Sequence, residues 1–302
     1  MAGSWTKSGR ICVDAGGAPW AVSHAAIPVV EARAAGRHRV YFSARDDKGR
    51  ARVGWGEVDL DRPSSWIVSA RPSIDLGRLG AFDDNGVTSS CLVTHDGRQF
   101  QYYTGWSIGS TVPFYLSAGL AVSDDDGRTF RRLSDAPLLD RSAVDPFLTA
   151  SPWVLVDNGV WRMWYVSATE WRLVRGRPEH RYHIRYAESR DGLAWDRRGI
   201  VCIDYKSYDE YAIARPCVVR DGTIYRMWFS HRGDRYRIGY AESSDGVVWR
   251  RLDDEVGIDV SAEGWDSEMI EYPHVFDADG RRLMLYNGND YGRTGIGLAE
   301  WR

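Results

Sequence analysis

The chain repeats itself, and an internal repeat constrains a fold more than any single residue does. The segment RMWYVSA at 162–168 recurs as RMWFSHR at 226–232, and IRYAESRDGLAWDRR at 184–198 recurs as IGYAESSDGVVWRRL at 238–252. Weaker copies bring both elements to five, always in the same order. A third element with a Pro or Ser near its middle precedes each pair, and these marker residues are Pro28, Ser90, Pro152, Pro216 and Pro273.

Each repeated element has the composition of a β-strand. The elements are short, rich in Val, Ile, Tyr and Trp, and bounded by Gly, Asp or Asn. Asp-Gly pairs, as at 96–97 and 221–222, supply the positive φ that tight hairpins need. A fivefold repeat of up-and-down strands is typical of an all-β, five-bladed β-propeller with four antiparallel strands per blade.

The repeat predicts a single propeller domain over residues 1–302. Its blades are expected at about 20–70, 83–135, 145–205, 209–260 and 266–302, with residues 5–13 completing the last one. The outer strand expected in the third blade reads WDRRGIVCID from Trp195, and the N-terminal segment reads WTKSGRICVD from Trp5. Because the Trp, Gly, Cys and Asp spacings agree, we expect the N-terminal strand to pair into the last blade and to protect its edge.

Composition excludes several classes of protein. Lys and Arg number 39 against 42 Asp and Glu, so the net charge of -3 offers no basic surplus for nucleic acid. The sequence has no apolar run of about 18 residues and no apolar signal segment at its start, so neither a membrane span nor secretion is expected and the predicted location is cytoplasmic. The four cysteines form no CxxC pair, which argues against a zinc site. The segment GRTGIG at 292–297 lies in a strand copy without a following helix, so it is not expected to be a phosphate-binding loop. No metal and no cofactor is predicted. The sequence leaves the oligomeric state open.

One face of the predicted ring carries enlarged hairpins. Insertions lie between the second and third strands of two blades, around 105–116 and 169–183. Insertions on one face of a repeat ring usually mark a binding face. Trp106 and Trp171 lie in these insertions and are candidates for stacking on sugar rings. The other hairpins of this face add the substrate-binding candidates Arg45, Asp46, His231, Asn287 and Asn289.

The starts of the five innermost strands should converge on the same face, and they are acidic. Six or seven positions before the markers stand Asp83, Asp84, Asp145, Glu210 and Asp266. The first blade has His24 instead, the fourth adds Arg215, and the last adds Glu268 and Glu271. Carboxylates crowded around an axis would separate in pKa by mutual repulsion, as acid catalysis requires. Alternatively, several of them bond backbone amides where the strands begin.

The repeated YAES-x-DG-x-x-W elements and the sequence Glu271, Tyr272, Pro273, His274 resemble the five-bladed β-propeller glycosidases. That group includes arabinanases and xylosidases, levanases and invertases, and mannoside phosphorylases. The resemblance implies a propeller acting on a carbohydrate, with the general acid on the Glu of an inner-strand E-x-P motif, which is Glu271 here. The base of those enzymes is commonly an Asp directly before an early inner-strand Pro, whereas Ile27 and Ser151 stand before these prolines here.

Three functions remain open at this stage. The first is a glycoside hydrolase with Glu271 as proton donor and Asp84 or Asp145 as base or nucleophile, in which Glu210 and Glu268 tune pKa values. Arg215 and His24 would hold substrate hydroxyls there, and Asp83, Glu210 and Glu268 are further substrate-binding candidates. The second is a glycan phosphorylase or transferase that holds phosphate on Arg45, Arg215, His231 and Arg232. The third is a carbohydrate-binding propeller without catalysis. In all three the expected partner is an oligosaccharide or glycoconjugate.

Overall fold

The computed structural model describes residues 3–12, 18–33 and 36–302, and it is almost entirely β. Val13, the last residue of the predicted closing strand, lies outside the described residues. Strands β1 to β20 span, in chain order, Trp5–Cys12, Ser23–Ala32, Arg37–Arg45, Ala51–Asp59, Arg62–Val68, Gly86–His95, Arg98–Ile108, Phe114–Ser123, Arg131–Arg132, Thr149–Asp157, Val160–Val174, Arg177–Ser189, Asp196–Ile203, Ala212–Asp221, Ile224–Arg232, Tyr236–Ser243, Arg250–Arg251, Glu271–Ala278, Arg281–Asn287 and Ile296–Trp301. A 3-10 turn covers Asp253–Glu255, and a short helical turn, α1, covers Asn289–Gly292.

The strands pair as antiparallel groups of four. Unit I comprises β2–β5, unit II β6–β9, and unit V β18, β19, β20 and β1. Strands β10–β13 form unit III and β14–β17 form unit IV, and one parallel bridge between Tyr182 and Ala212 joins these two units into a larger sheet. The predicted all-β architecture of four-stranded antiparallel sheets is therefore confirmed, while the count of five blades stays a prediction.

The sequence explains why these sheets bury both faces. Aromatic residues recur at fixed repeat positions, so Trp164 and Trp228, for example, occupy the same place in β11 and β15 and are both buried. Some buried indole N–H groups donate to backbone carbonyls of the neighbouring unit, as Trp164 Nε1 does to Gly246 O, 2.8 Å away. One hydrophobic cluster runs through units II to V, and two further clusters pack unit I against units II and V.

The first strands of the units contact one another in the cyclic order β2, β6, β10, β14, β18 and back to β2. The last sheet is completed by the N-terminal strand, since β1 pairs antiparallel with β20 from Trp5 opposite Trp301 to Cys12 opposite Ile296. Lys7 of β1 adds an ion pair with Asp266 at 2.7 Å. The predicted pairing of the N-terminal segment with the last sheet is confirmed, and it covers one edge of β20.

Candidate functional site

A cavity of about 450 Å³ opens where the first strands of the units begin. Every unit contributes to its wall, because the cavity lies between their innermost strands. The enlarged hairpin β11–β12, predicted around 169–183, is confirmed as the longest in the chain and supplies His180 and Tyr182 to the same wall. A cavity of this size lies in the range of sites that bind small molecules.

The backbone around the cavity is strained in a repeated way. The residue before each marker proline has a positive φ, 55° at Ile27, 47° at Ser151, 54° at Arg215 and 55° at Tyr272, and all four residues line the cavity. At each of these points the pairing register with the second strand shifts, which marks a β-bulge. Side chains other than glycine rarely adopt this conformation, and such strain clusters at functional sites. In units I, III, IV and V the bulge thus places one residue at the cavity.

A side chain of a neighbouring unit supports most of these bulges. Ser151 N–H donates to Thr104 Oγ1 at 2.8 Å, and Tyr272 N–H donates to Ser230 Oγ at 2.8 Å. In the last unit Asn287 has the supporting role that Thr104 and Ser230 have in the others. Its Oδ1 accepts from Ile27 N–H at 2.8 Å, and its Nδ2 donates to Ala25 O at 2.7 Å. Asn287 was predicted to bind substrate, but the structure places it, fully buried, in this support.

One residue nearer the mouth lies a second layer of side chains. Ala26, Thr88, Ala150 and Ala214 occupy equivalent positions in units I to IV, and all four line the cavity. Glu271 occupies this position in unit V, so a carboxylic acid replaces a small side chain at a single point of the layer.

Glu271 has no exposed surface, and neither carboxyl oxygen has a hydrogen-bond partner at ordinary distance within the described chain. Burial raises the pKa of Glu271 well above its usual range, and the nearby Arg232 and Arg45 oppose this only in part. Tyr236 and Tyr272, which line the cavity, are close enough for the charge of Glu271 to raise their pKa in addition to the effect of burial. Glu271 is therefore a buried carboxyl group beside tyrosines, in surroundings that favour its protonated form.

The charged side chains of the cavity wall are basic. Arg45, Arg215 and Arg232 line the cavity, and none of the described lining residues carries a carboxylate. Arg45 is exposed and makes no ion pair in the described part of the chain. Arg232 donates to Tyr291 Oη at 2.7 Å, and its guanidinium carbon lies 5.2 Å from the ring centre of Tyr211. The cavity is thus an arginine-rich, aromatic site suited to an anionic ligand.

His24 also lines the cavity, as its placement at the start of β2 predicts. Burial, with a contribution from Arg45, lowers the pKa of His24 to about 4, so the imidazole is neutral at pH 7. Burial likewise lowers the pKa of His180 to about 4, with Arg232 adding to the effect. Both rings therefore contribute hydrogen bonding and no charge to the cavity at neutral pH.

The two predicted tryptophans have different positions. Trp106 lines the cavity, with its ring centre 5.0 Å from that of Phe114. Trp171 stands behind this wall, where it packs on Phe114 at 5.3 Å and on His180 at 5.5 Å. Trp106 therefore lies at the cavity surface, and Trp171 packs behind the aromatic residues that line it.

The predicted ring of axial carboxylates is wrong, because the acids at the strand starts are bound inside their own units. Tyr103, Tyr165 and Tyr286 donate their hydroxyls to Asp83, Asp145 and Asp266, at 3.0, 3.1 and 3.0 Å. Each acid also forms an ion pair with a basic side chain of the outermost strand of its sheet. These pairs are Arg132 with Asp83 at 2.7 Å, Arg197 with Asp145 at 2.9 Å, and Lys7 with Asp266 at 2.7 Å. None of the three acids lines the cavity.

Unit IV uses a variant of the same arrangement. Glu210 accepts from Arg251 at 2.8 Å, from His231 Nδ1 at 3.0 Å and from the backbone N–H of Lys206 at 2.7 Å. Burial alone would raise the pKa of Glu210, but these partners hold it below the usual range. Glu210 and His231, both predicted to bind substrate, are thus engaged with each other and with Arg251 outside the cavity wall.

Four other predicted residues serve turns or the surface. Asp84 accepts the backbone N–H of Gly80 at 2.9 Å and does not line the cavity. Asp46 accepts the N–H groups of the β3–β4 turn and an ion pair from Arg52 at 2.7 Å. Asn289 Oδ1 accepts the N–H of Glu268 at 2.8 Å, while the Glu268 carboxylate forms an exposed pair with Arg235 at 3.4 Å. The cavity wall contains none of these side chains.

Relatives of known sequence cover nearly the whole chain. Uncharacterized protein MT1551 of Mycobacterium tuberculosis strain CDC 1551 is 46% identical over 297 residues, which cover 98% of both proteins. Uncharacterized protein Rv1502 of strain H37Rv is 45% identical over a span of the same length. The chain belongs to the family of these two proteins. No protein-family model matches the sequence.

Solved structures share the fold at low sequence identity. A structure described as "Glycoside hydrolase" is 16% identical with a TM-score of 0.74, and the alignment covers 98% of this protein and 92% of that one. A thermostable family-43 glycoside hydrolase is 16% identical with a TM-score of 0.69, covering 93% and 89%. The expected likeness to the β-propeller glycoside hydrolases is confirmed for the fold. Within the described residues, no helix has the length and apolar character to cross a membrane.

The sequence candidates His24, Arg45, Trp106, Arg215 and Arg232 line the cavity, but most of its aromatic wall was not predicted. The missed lining residues are Phe114, His180, Tyr182, Tyr236 and Tyr272. The insertions at 105–116 and 169–183 contain three of them, so the signal for these residues was the length of the hairpins rather than any motif.

Proposed function

We propose that residues 1–302 form one five-bladed propeller whose axial cavity binds a carbohydrate. The blades correspond to units I to V, within the ranges 20–70, 83–135, 145–205, 209–260 and 266–302 plus the N-terminal strand 5–13. The cyclic contacts of the first strands and the pairing of β1 with β20 support this arrangement. The propeller fold of the structural relatives, which include glycoside hydrolases, supports the choice of ligand class.

We propose further that the protein cleaves a glycosidic bond, with Glu271 as the proton donor. The observation that carries this is the state of Glu271, a buried and unpaired carboxylic acid in a layer whose other members all line the cavity. A general acid must hold its proton at the working pH, and burial shifts the pKa of Glu271 in that direction. Since Glu271 has no exposed surface, substrate binding has to turn aside neighbouring tyrosine side chains.

Hydrolysis needs a second group that activates water. Asp145 is bound by two arginines and a tyrosine, and Asp84 by a turn, so neither residue is available at the cavity. Asp290 of α1 is an exposed carboxylate whose charge acts on both His24 and Glu271, and we propose it as the base. Water would then attack the anomeric carbon, its proton passing to Asp290, while the departing oxygen takes the Glu271 proton.

Phosphorolysis is the second candidate, and the basic cavity wall favours it. Arg45 and Arg232 lie in the wall without a carboxylate partner there, and arginine binds phosphate through paired hydrogen bonds. A phosphate oxygen would form the bond to the anomeric carbon as the glycosidic bond breaks and the departing oxygen takes the proton of Glu271. This reaction needs a single carboxylic acid, and Glu271 would supply it from behind the cavity wall.

The test is Glu271→Gln, with Glu268→Gln as a matched control three residues away on the surface. Alkyl and nitrophenyl glycosides are compared, because a nitrophenolate departs without being protonated and an alkoxide does not. We expect Glu271→Gln to lower turnover of the alkyl glycoside about 10²- to 10⁴-fold, with a smaller loss for the nitrophenyl glycoside. Equal losses for both, or full activity of the variant at an unchanged Tm, would exclude Glu271 as the acid.

Inorganic phosphate distinguishes the two reactions. Phosphorolysis predicts turnover that depends on phosphate and yields a sugar 1-phosphate, and it predicts that Arg232→Gln raises the KM for phosphate. If phosphate changes neither turnover nor Tm, hydrolysis remains. Ligand binding to both the wild type and Glu271→Gln, without turnover in either, would instead identify a carbohydrate-binding protein.

A further inference from the structure

Arg215 lies across the axis at the inner end of the cavity. It belongs to β14, and its guanidinium donates to the backbone carbonyls of Ser90 in β6 and, at 3.1 Å, of Pro28 in β2. The side chain therefore extends from unit IV to the first strands of two other units. Since the first strands run inward from the mouth, Arg215 lies one position deeper than the layer formed by Ala214 and its equivalents. Arg215 forms the floor of the cavity.

This guanidinium is buried and has no anionic partner. Its relative exposure is 1%, it forms no ion pair in the described part of the chain, and its Nε–H has no hydrogen-bond partner there. The ionisable groups that influence its pKa are two cysteines and a tyrosine, with no carboxylate among them. Burial lowers the pKa of Arg215 only to about 10, so it remains charged at neutral pH. Buried charges are normally paired, because removing a lone ion from water is costly.

The residues above Arg215 leave room for a ligand to reach it. The layer nearer the mouth has only Ala26, Thr88, Ala150 and Ala214 in units I to IV, and all four line the cavity. At the level of Arg215 itself, Ser151 also lines the cavity and offers a hydroxyl. A guanidinium with free N–H groups, a neighbouring hydroxyl and small residues above it make a built receptor for an anion.

We propose that Arg215 receives the acidic group of the sugar itself, a carboxylate or a phosphate ester, so that the site selects acidic over neutral sugars. This inference rests on the proposed carbohydrate function and assigns the substrate class. The acidic group occupies the floor, and the sugar ring lies in the layer that contains Glu271. A free phosphate used in phosphorolysis would approach from the mouth, where Arg45 and Arg232 lie. The alternative is that Arg215 only saturates the carbonyls of Ser90 and Pro28.

The test is calorimetric binding to Glu271→Gln protein, so that no turnover is required. The ligands are glucuronate, galacturonate and mannuronate, the 6-phosphates of glucose, galactose and mannose, the three parent sugars, and inorganic phosphate. We expect at least one acidic sugar to bind about 10- to 100-fold more tightly than its neutral parent, the range for a charge-assisted hydrogen bond. The uronates and the 6-phosphates separate the two sources of the acidic group.

When Arg215→Gln is added to the Glu271→Gln protein, the preference for the acidic sugar should disappear and the affinity for the neutral sugar should not change. When Arg232→Gln at the mouth is added instead, the preference should remain. The comparison of acidic with neutral sugars on the parent protein remains decisive even where Arg215→Gln does not fold. If neutral sugars bind as well as their acids, if only inorganic phosphate binds, or if no acidic sugar binds, the proposal is wrong. If a neutral glycoside is cleaved as fast as its acidic counterpart, this inference is wrong, while the proposed role of Glu271 as proton donor remains.

Discussion

At the scale of single residues, two kinds of buried acid occur in this protein. Asp145 is completely buried, yet Arg185, Arg197 and Tyr165 all contact its carboxylate. Glu271 is equally buried, and no hydrogen-bond donor in the described chain contacts it at ordinary distance. The partners of each acid decide its state: a paired carboxylate holds strands together, whereas an unpaired buried one favours its protonated form, which the proposed role of Glu271 requires.

Asp145→Asn tests the structural role. The substitution leaves Arg185 and Arg197 without their shared carboxylate, so we expect a loss of about 3 kcal/mol in the free energy of unfolding. Urea titration measures this loss. The matched control is Asp84→Asn, which affects one turn hydrogen bond and should cost less than about 1 kcal/mol. If Asp145→Asn unfolds like the wild type but loses turnover, Asp145 acts in catalysis and its structural assignment is wrong.

The pairing of these acids was visible in the sequence, although their burial was not. Each tyrosine donor follows its acid by 20 residues, for Asp83, Asp145 and Asp266 alike. A constant spacing between an acid and a tyrosine in units II, III and V indicates a repeated structural bond, which a functional residue does not need. The spacing could not reveal that Glu271 lacks a partner, because that depends on which side chains the other strands bring near it.

At the scale of elements, the β3–β4 hairpin shows how one carboxylate orders a turn. Asp46 accepts the N–H groups of Lys48 and Arg50 at 3.0 and 2.9 Å and pairs with Arg52. Burial alone would raise the pKa of Asp46, but the hydrogen bonds from Arg52, Arg50 and Lys48 outweigh it and lower the pKa to about 2. This turn carries Arg45, Gly49 and Ala51 to the cavity wall, so its order matters to the site.

The lowered pKa fixes the sign of a pH dependence. The folded state favours ionised Asp46, so its stabilisation is complete above the ordinary value of 3.8 and is lost as the pH falls towards about 2. Asp46→Asn should therefore lower the Tm most at pH 5 to 7, and the difference from wild type should shrink below about pH 4. Thermal unfolding between pH 6 and 2 measures this, with the exposed neighbour variant Asp47→Asn as control. A Tm difference that does not change with pH would contradict the assignment.

The sequence predicted the hairpins better than the outer strands. Asp-Gly turns marked the connection between the first and second strands, as at 96–97 and 221–222, and the repeated segments located the second and third strands, including those of the long β11–β12 hairpin. The fourth strand has eight residues in unit III but only two in units II and IV, at Arg131–Arg132 and Arg250–Arg251. An outer strand has one pairing neighbour and little buried surface, so its length depends on local contacts that a repeat does not encode.

At the scale of the whole molecule, the repeat predicted the fold and the departures from the repeat make the site. The equivalent positions Ala26, Ala150 and Ala214 conform to a pattern that Glu271 breaks, and Arg215 replaces the uncharged residues found before the other marker prolines. A sequence repeat reveals such departures, but it does not give their surroundings. Only the packed structure places Arg215 across the axis and removes Asp83 and Asp145 from it.

The closure of the last sheet by β1 is a property of the whole molecule, and it can be tested by removal and replacement. Without residues 3–12, one edge of β20 loses its backbone partners, Asp266 loses Lys7, and the buried side chains of Trp5 and Ile11 leave their sites. We expect the shortened protein to have a lower Tm and to self-associate through the open edge in size-exclusion chromatography. A synthetic peptide of residues 3–12 should restore both properties, whereas the same peptide with serine at positions 5, 11 and 12 should not. A shortened protein that stays monomeric with the wild-type Tm would show that β1 does not hold the ring closed.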